Sequence, residues 1–227
     1  MDQKVLLKNN LVLFLSAAFA IIAGGFLIFF TTTKNLHLFF NSLVNPALNL
    51  FFITCTYLGD GYFIGLCLLI ILMFNLRLFL SCGVSYGISS LLVQSMKNFI
   101  YPDALRPRTY FEQNAKDVKL VLIDGIETLG NYSFPSGHTT AAFSLFFTLA
   151  LVSENKLIKI GCFFIALLVG FSRIYLSQHF FEDVYTGMII GIICSFMFFY
   201  FFYISRKSGR FSQLNESLFK IIIGRKK

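Results

Sequence analysis

The chain has 227 residues, 56% of them hydrophobic and 30 of them Phe, with a mean hydropathy of +0.73 and a net charge of +8. A soluble domain of this size cannot hide so much apolar side chain from water, so the composition excludes that class and describes a polytopic, all-α membrane protein. The basic residues have no interleaved aromatic platform and no folded basic domain, which argues against a nucleic-acid partner.

Taken in chain order, the first predicted crossing is 11–30, "LVLFLSAAFAIIAGGFLIFF". Its small-residue "SAAFA" lies inside the apolar run rather than after it, so it reads as an uncleaved span and not as a secretory signal. Segment 42–58 is also apolar, but Asn45-Pro46 interrupts it early and Gly59-Asp60-Gly61 follows, which suits an interfacial helix better than a crossing. Five more spans follow at 61–76, 78–97, 137–153, 157–175 and 184–204. A bundle of six transmembrane helices results, with an outer loop, 98–136, between spans three and four.

Two segments divide the chain: a membrane domain over 1–204 and a basic tail over 205–227. The tail carries seven Lys or Arg against the single acid Glu216, six of the eight net charges. The turns at Arg77 and at 154–159 and the N-terminus are each net positive and fall on the same side in a six-span topology. The positive-inside rule then makes both termini cytoplasmic and the 98–136 loop non-cytoplasmic. Five cysteines, Cys55, Cys67, Cys82, Cys162 and Cys194, are scattered and give neither a disulfide nor a zinc pattern.

Placed by depth, the unusual polar residues gather at the outer ends of the spans. Lys97 ends the third, Arg106 and Arg108 follow in the loop, and His138 opens the fourth. Ser172 and Arg173 end the fifth, and His179 and Asp183 open the sixth. Each has an ordinary reading: Lys97 as a snorkelling lysine, the acids as helix N-terminal charges, Ser136 as a helix cap. Their concentration in one layer is what those readings leave unexplained. His37, the third histidine, reads as an interfacial residue.

The chemistry this layer suits is phosphoryl transfer. Cations neutralise the equatorial oxygens of the transferred group, and backbone amides around Ser136 and Gly137 form a helix N-terminus that binds phosphate. His179 and Asp183 are four residues apart, on one helix face, so the carboxylate can orient the ring and free its other nitrogen to attack. His138 has no such neighbour in sequence, which suits an acid that cycles its proton. A metal site built from two His and one Asp is the rival reading. Its ligand spacing is a weak pattern, and the adjacent cations would repel a divalent ion.

These residues resemble the type 2 phosphatidic acid phosphatase superfamily of membrane lipid phosphatases. Its signature is Lys-x6-Arg-Pro, then Pro-Ser-Gly-His, then Ser-Arg-x5-His-x3-Asp. The second part is complete as Pro135-Ser136-Gly137-His138, and the third as Ser172-Arg173, His179 and Asp183. The first part departs, with eight residues between Lys97 and Arg106-Pro107, and this admits Arg108 as a substitute for Lys97. The resemblance implies phosphate ligands at Lys97, Arg106, Ser136, Gly137 and Arg173, with His179 as nucleophile, His138 as general acid and Asp183 as its orienter. It implies no cofactor and no metal. The partner would be a phosphorylated membrane lipid: lipid A, undecaprenyl pyrophosphate, or a glycerophospholipid phosphate. The expected location is a bacterial inner membrane, with the site facing the periplasm. A lipid-to-lipid phosphoryl transferase and, less well supported, a transporter are the other classes the sequence admits.

Overall fold

Asn, Pro and Gly punctuate the apolar runs, and the helix breaks of the computed structural model follow them; it describes residues 3–126, 130–205, 210 and 214. Helix α1 is Gln3–Phe30, α2 Thr33–Asn41, α3 Pro46–Tyr57, α4 Gly61–Phe74 and α5 Leu76–Ser95. A π-helical turn, Met96–Ile100, extends α5. Then come α6 Pro107–Asn114, α7 Gly137–Val152, α8 Lys156–Tyr175 and α9 Phe181–Phe199, the last also running on into a π-turn, Tyr200–Ile204. All regular structure among the described residues is helical, in keeping with the all-α reading.

Local chemistry explains the starts. Thr32, Asn45, Asp60, Asn75, Ser136 and Asn155 each accept a backbone N–H from the helix they precede, satisfying one of its unpaired donors. Two helices, α2 and α6, were not foreseen. Both carried a signal, the Thr32 cap for the first and Pro107 at the opening position of the second. Helices α2 and α3 turn by 117° where Asn45-Pro46 breaks the chain.

Among the described residues, four helical stretches are long and apolar enough to cross a bilayer: Lys8–Phe30, Leu76–Ile100, Lys156–Tyr175 and Phe181–Ile204. The bent α2–α3 pair could count as a fifth. The other two predicted spans are shorter apolar helices, α4 with 14 residues and α7 with 16. Helix α7 sits at the centre against α5, α8 and α9, and nearly every side chain it carries is buried. A helix covered by protein on all sides needs no full-length apolar surface of its own. Gly187 and Gly191 let α9 approach it so closely that an added Cβ would come 2.7 Å from the Ser136 carbonyl and 2.5 Å from Phe143 Cβ. Around this core, Phe19, Phe29 and Leu50 are 75–82% exposed, the pattern of a lipid-facing surface. The basic tail predicted over 205–227 lies almost wholly outside the described residues.

Candidate active site

The C-terminal ends of α3, α5 and α8 and the N-terminal ends of α4, α7 and α9 meet at one pole. A cavity of about 640 Å³ opens there, and Lys97, Arg106, Gly137, His138, Arg173 and His179 all line it. Six of the eight predicted site residues are therefore brought to one space. Asp183 and Ser136 stand one layer behind.

Lys97 reaches the cavity from the π-turn, where one extra residue per turn widens the end of α5, and Pro102 and Asp103 then make a non-helical turn. The longer Lys97–Arg106 spacing is taken up there, and Lys97 Nζ donates to the Tyr132 carbonyl at 2.6 Å. Arg108 is not brought in. It lies on exposed α6 in an ion pair with Glu112 at 2.9 Å. Arg106, which precedes α6, points inward, donating from Nε to the Asn131 carbonyl and from Nη1 to Gln178. Burial pulls its pKa down and the Asp183 carboxylate opposes that shift; a guanidinium stays charged throughout. Arg173 donates to Thr56 Oγ1 at 2.6 Å and to Gln178 Oε1 at 3.3 Å. Gln178 thus ties the two guanidinium groups together. Sequence spacing offered no signal for this, because Gln178 is one of the motif's variable positions.

At the head of α7, the Ser136 hydroxyl is wholly buried and accepts from the Thr139 amide and hydroxyl, while its own N–H donates to the Asp183 carbonyl. Ser136 is spent on the cap. What the helix start offers the cavity is the pair of amides of Gly137 and His138, which have no carbonyl within the helix to bond. A Cβ on Gly137 would meet no protein atom within 4 Å, since that volume is cavity.

His179 lies between α8 and α9 and is almost completely buried, with Nδ1 3.2 Å from Asp183 Oδ2. The same oxygen accepts from Ser133 Oγ at 2.5 Å and from the Phe180 amide at 3.0 Å. An oxygen accepting from that many donors is a carboxylate oxygen, so Nδ1 carries the ring proton and Nε2 keeps its lone pair. Burial first, then Arg106, Arg173, Lys97 and His138, push the His179 pKa well below the usual imidazole value. The ring is a neutral base beside three cations. Ser133 was missed by sequence reasoning, and a lone serine in a loop carries no pattern that would have exposed it.

His138 is a third exposed and faces Asp60, whose Oδ2 is 3.7 Å from Nε2. His37, expected at the interface, is instead fully buried, 3.3 Å from Ser177 Oγ and packed against Phe111 and Phe180. The cause is α2, which folds back beneath the His179 loop. Among the described residues no three His, Cys, Asp or Glu side chains group as a metal-ligand set.

The chain is similar to several known proteins. Residues 78–207 match the family profile described as PAP2 superfamily. A curated relative, undecaprenyl-diphosphatase BcrC of Bacillus subtilis, is 30% identical over 115 residues, 51% of this chain and 53% of its own. The chain thus spans about half the length of that relative. The crystal structure of Aquifex aeolicus LpxE is similar with a TM-score of 0.60 and 31% identity, over 74% of this chain and 95% of the other. That of the PAP2-type phosphatidylglycerolphosphate phosphatase from Bacillus subtilis gives a TM-score of 0.63 and 26% identity, over 87% and 98%.

Proposed function

Since the chain belongs to the PAP2 superfamily, we propose that it hydrolyses a phosphomonoester or pyrophosphate on a membrane lipid through a phosphohistidine at His179. One observation carries this reading: Lys97, Arg106 and Arg173, the head of α7, His138 and His179 share one cavity. Three side-chain cations and the Gly137 and His138 amides bind the phosphate oxygens and hold the charge that spreads over them in the transition state. His179 Nε2 attacks phosphorus while Asp183 holds Nδ1–H. The bond to the lipid oxygen breaks, and that oxygen takes the proton of His138. Water then attacks the phosphohistidine, the P–N bond breaks, and His138 accepts the water's proton as inorganic phosphate forms. Ser136 supports the cradle from behind by capping α7.

The topology proposed with this chemistry has six crossings, α2 and α3 at the interface, and both termini in the cytoplasm. The cavity then opens to the periplasmic side of a bacterial inner membrane. The relatives' names frame the substrate class: an undecaprenyl diphosphate, a lipid A phosphate or a phosphatidylglycerol phosphate.

The test is phosphate release from a panel of these lipids in detergent, wild type against His179→Gln, with rapid quench of labelled substrate. Release by the wild type, no release by the variant, and alkali-stable label on the His179 peptide are expected. Label on the His138 peptide would exchange the two roles. Transfer to a second lipid with no phosphate release would make the protein a transferase.

A further inference from the structure

The turn between α3 and α4, Gly59-Asp60-Gly61, looked in sequence like a separator between segments. In the fold it is seated directly on the start of α7. A Cβ on Gly59 would stand 2.7 Å from the His138 carbonyl oxygen and 2.5 Å from Val169 Cγ1, so no larger residue fits without moving the turn. This close seating fixes where the Asp60 carboxylate lies. Its Oδ1 accepts the Tyr62 amide at 2.8 Å and caps α4. Its Oδ2 faces His138 Nε2 at 3.7 Å. That separation is too long for a hydrogen bond, so the interaction is one of charge.

The charges facing His138 come from four directions: Arg173 on α8, Arg106 before α6 and Lys97 after α5 are cations, while Asp60 supplies negative charge. Burial and these three cations disfavour the protonated ring, and Asp60 is the anion that opposes them. The same segment holds a second group of the site. Thr56, in the last turn of α3, accepts from Arg173 Nη1 at 2.6 Å. Residues 56–61 therefore form a wall of the site that lies upstream of all three sequence motifs.

We propose that Asp60 is a positioning residue for the acid–base chemistry of His138, holding the imidazolium beside the leaving oxygen until its proton is delivered. This rests on the proposed role of His138. When the P–O bond breaks, the proton passes to the lipid oxygen and the Asp60–His138 attraction is released. When water attacks the phosphohistidine, His138 regains a proton and the attraction returns. No atom of Asp60 is transferred.

An ordinary capping role is separable from this one, because Asn caps helices as well as Asp does but carries no charge. The full-length protein in detergent is assayed as wild type, Asp60→Asn and His138→Ala. One substrate is a lipid phosphomonoester with an alkoxide leaving group; the other is nitrophenyl phosphate, whose leaving group needs no proton. With Asp60→Asn, kcat on the lipid should fall by about 10–100-fold, part of what a general acid contributes, with about threefold or less lost on nitrophenyl phosphate. KM should be unchanged on both, and Asp60→Glu should recover part of the lipid rate. If Asp60→Asn does not fold, Asp60→Ser, which also caps, replaces it. Equal losses on the two substrates would overturn the proposal in favour of a general structural role. Lipid turnover within about twofold of wild type would reduce Asp60 to a cap. If His138→Ala itself shows no dependence on the leaving group, the acid–base reading of His138 fails first and the proposal fails with it.

Discussion

At the cavity pole, Lys97, Arg106 and Arg173 are buried but border open space. At the opposite pole of the same bundle, Arg77 is about as buried and Lys159 more deeply so, and neither borders that cavity. Arg77 donates from Nε and Nη2 to the Phe202 carbonyl beyond α9 and lies over the Tyr203 ring at 4.4 Å. Lys159 donates to Asn10 Oδ1 and to the carbonyl of Ala150 in the last turn of α7. Those two cations satisfy the carbonyl ends of helices, where positive charge is favoured. Burial of a cation therefore does not mark a site by itself. What separates the poles is whether the charge faces protein oxygens alone or a space that an anion can enter.

The largest test of that distinction compares two cations of the outer loop region. Lys97→Ala should lower kcat/KM by about 10–1,000-fold, on the order of losing one preorganised charge contact. Arg108→Ala should cost about threefold or less, because an exposed i,i+4 pair on α6 is worth little and borders no part of the site. Steady-state kinetics on one lipid phosphate decides it. A severe Arg108 variant beside a mild Lys97 variant would mean that the cavity of this structure is not where phosphate binds.

Much of the cavity pole was legible before the fold, and little of the opposite one. The Pro135–His138 and Ser172–Asp183 residues were found because their chemistry recurs at fixed spacing on helix ends, where a short motif sets the geometry. Arg77 and Lys159 were read as orientation charges in polar turns, since sequence cannot tell a solvated turn cation from one folded back onto a carbonyl. Thr56, Asp60, Ser133 and Gln178 were also out of reach. Each acts through a neighbour more than ten residues away, or from a variable motif position, and only packing brings those partners together. The six-span pattern came from hydropathy, which saw α4 and α7 as apolar but could not see that α7 is enclosed by protein.

A second test concerns pH. Because burial and three cations lower the His179 pKa, the neutral, attacking form exists above that lowered value and is lost only as pH falls through it. The acid limb of kcat/KM, which reports the free enzyme, should therefore lie below the ordinary imidazole range near 6.5. At pH 5 an ordinary histidine nucleophile would already have lost about 30-fold, and this one should have lost far less. The profile is corrected for the substrate's own phosphate ionisation. An acid limb at about 6.5 would show that the ring is not enclosed by cations as described.

The smallest effect on activity is expected at the far pole, and it sharpens the comparison most. Lys159→Met removes a buried ammonium and leaves the Asn10 oxygen and the Ala150 carbonyl without a donor. An abandoned buried acceptor costs about 1–3 kcal/mol, so the variant should unfold more readily. Replacing the side-chain partner as well, Lys159→Met with Asn10→Leu, should recover part of that loss, since it removes one abandoned acceptor and leaves the Ala150 carbonyl without its donor. The folded fraction of either variant should turn over lipid phosphate within about twofold of wild type, because neither residue touches the cavity or any group that lines it. Thermal unfolding in detergent together with activity per folded molecule measures both quantities. If turnover drops while stability holds, the far pole is coupled to the chemistry and its cations do more than close helix ends.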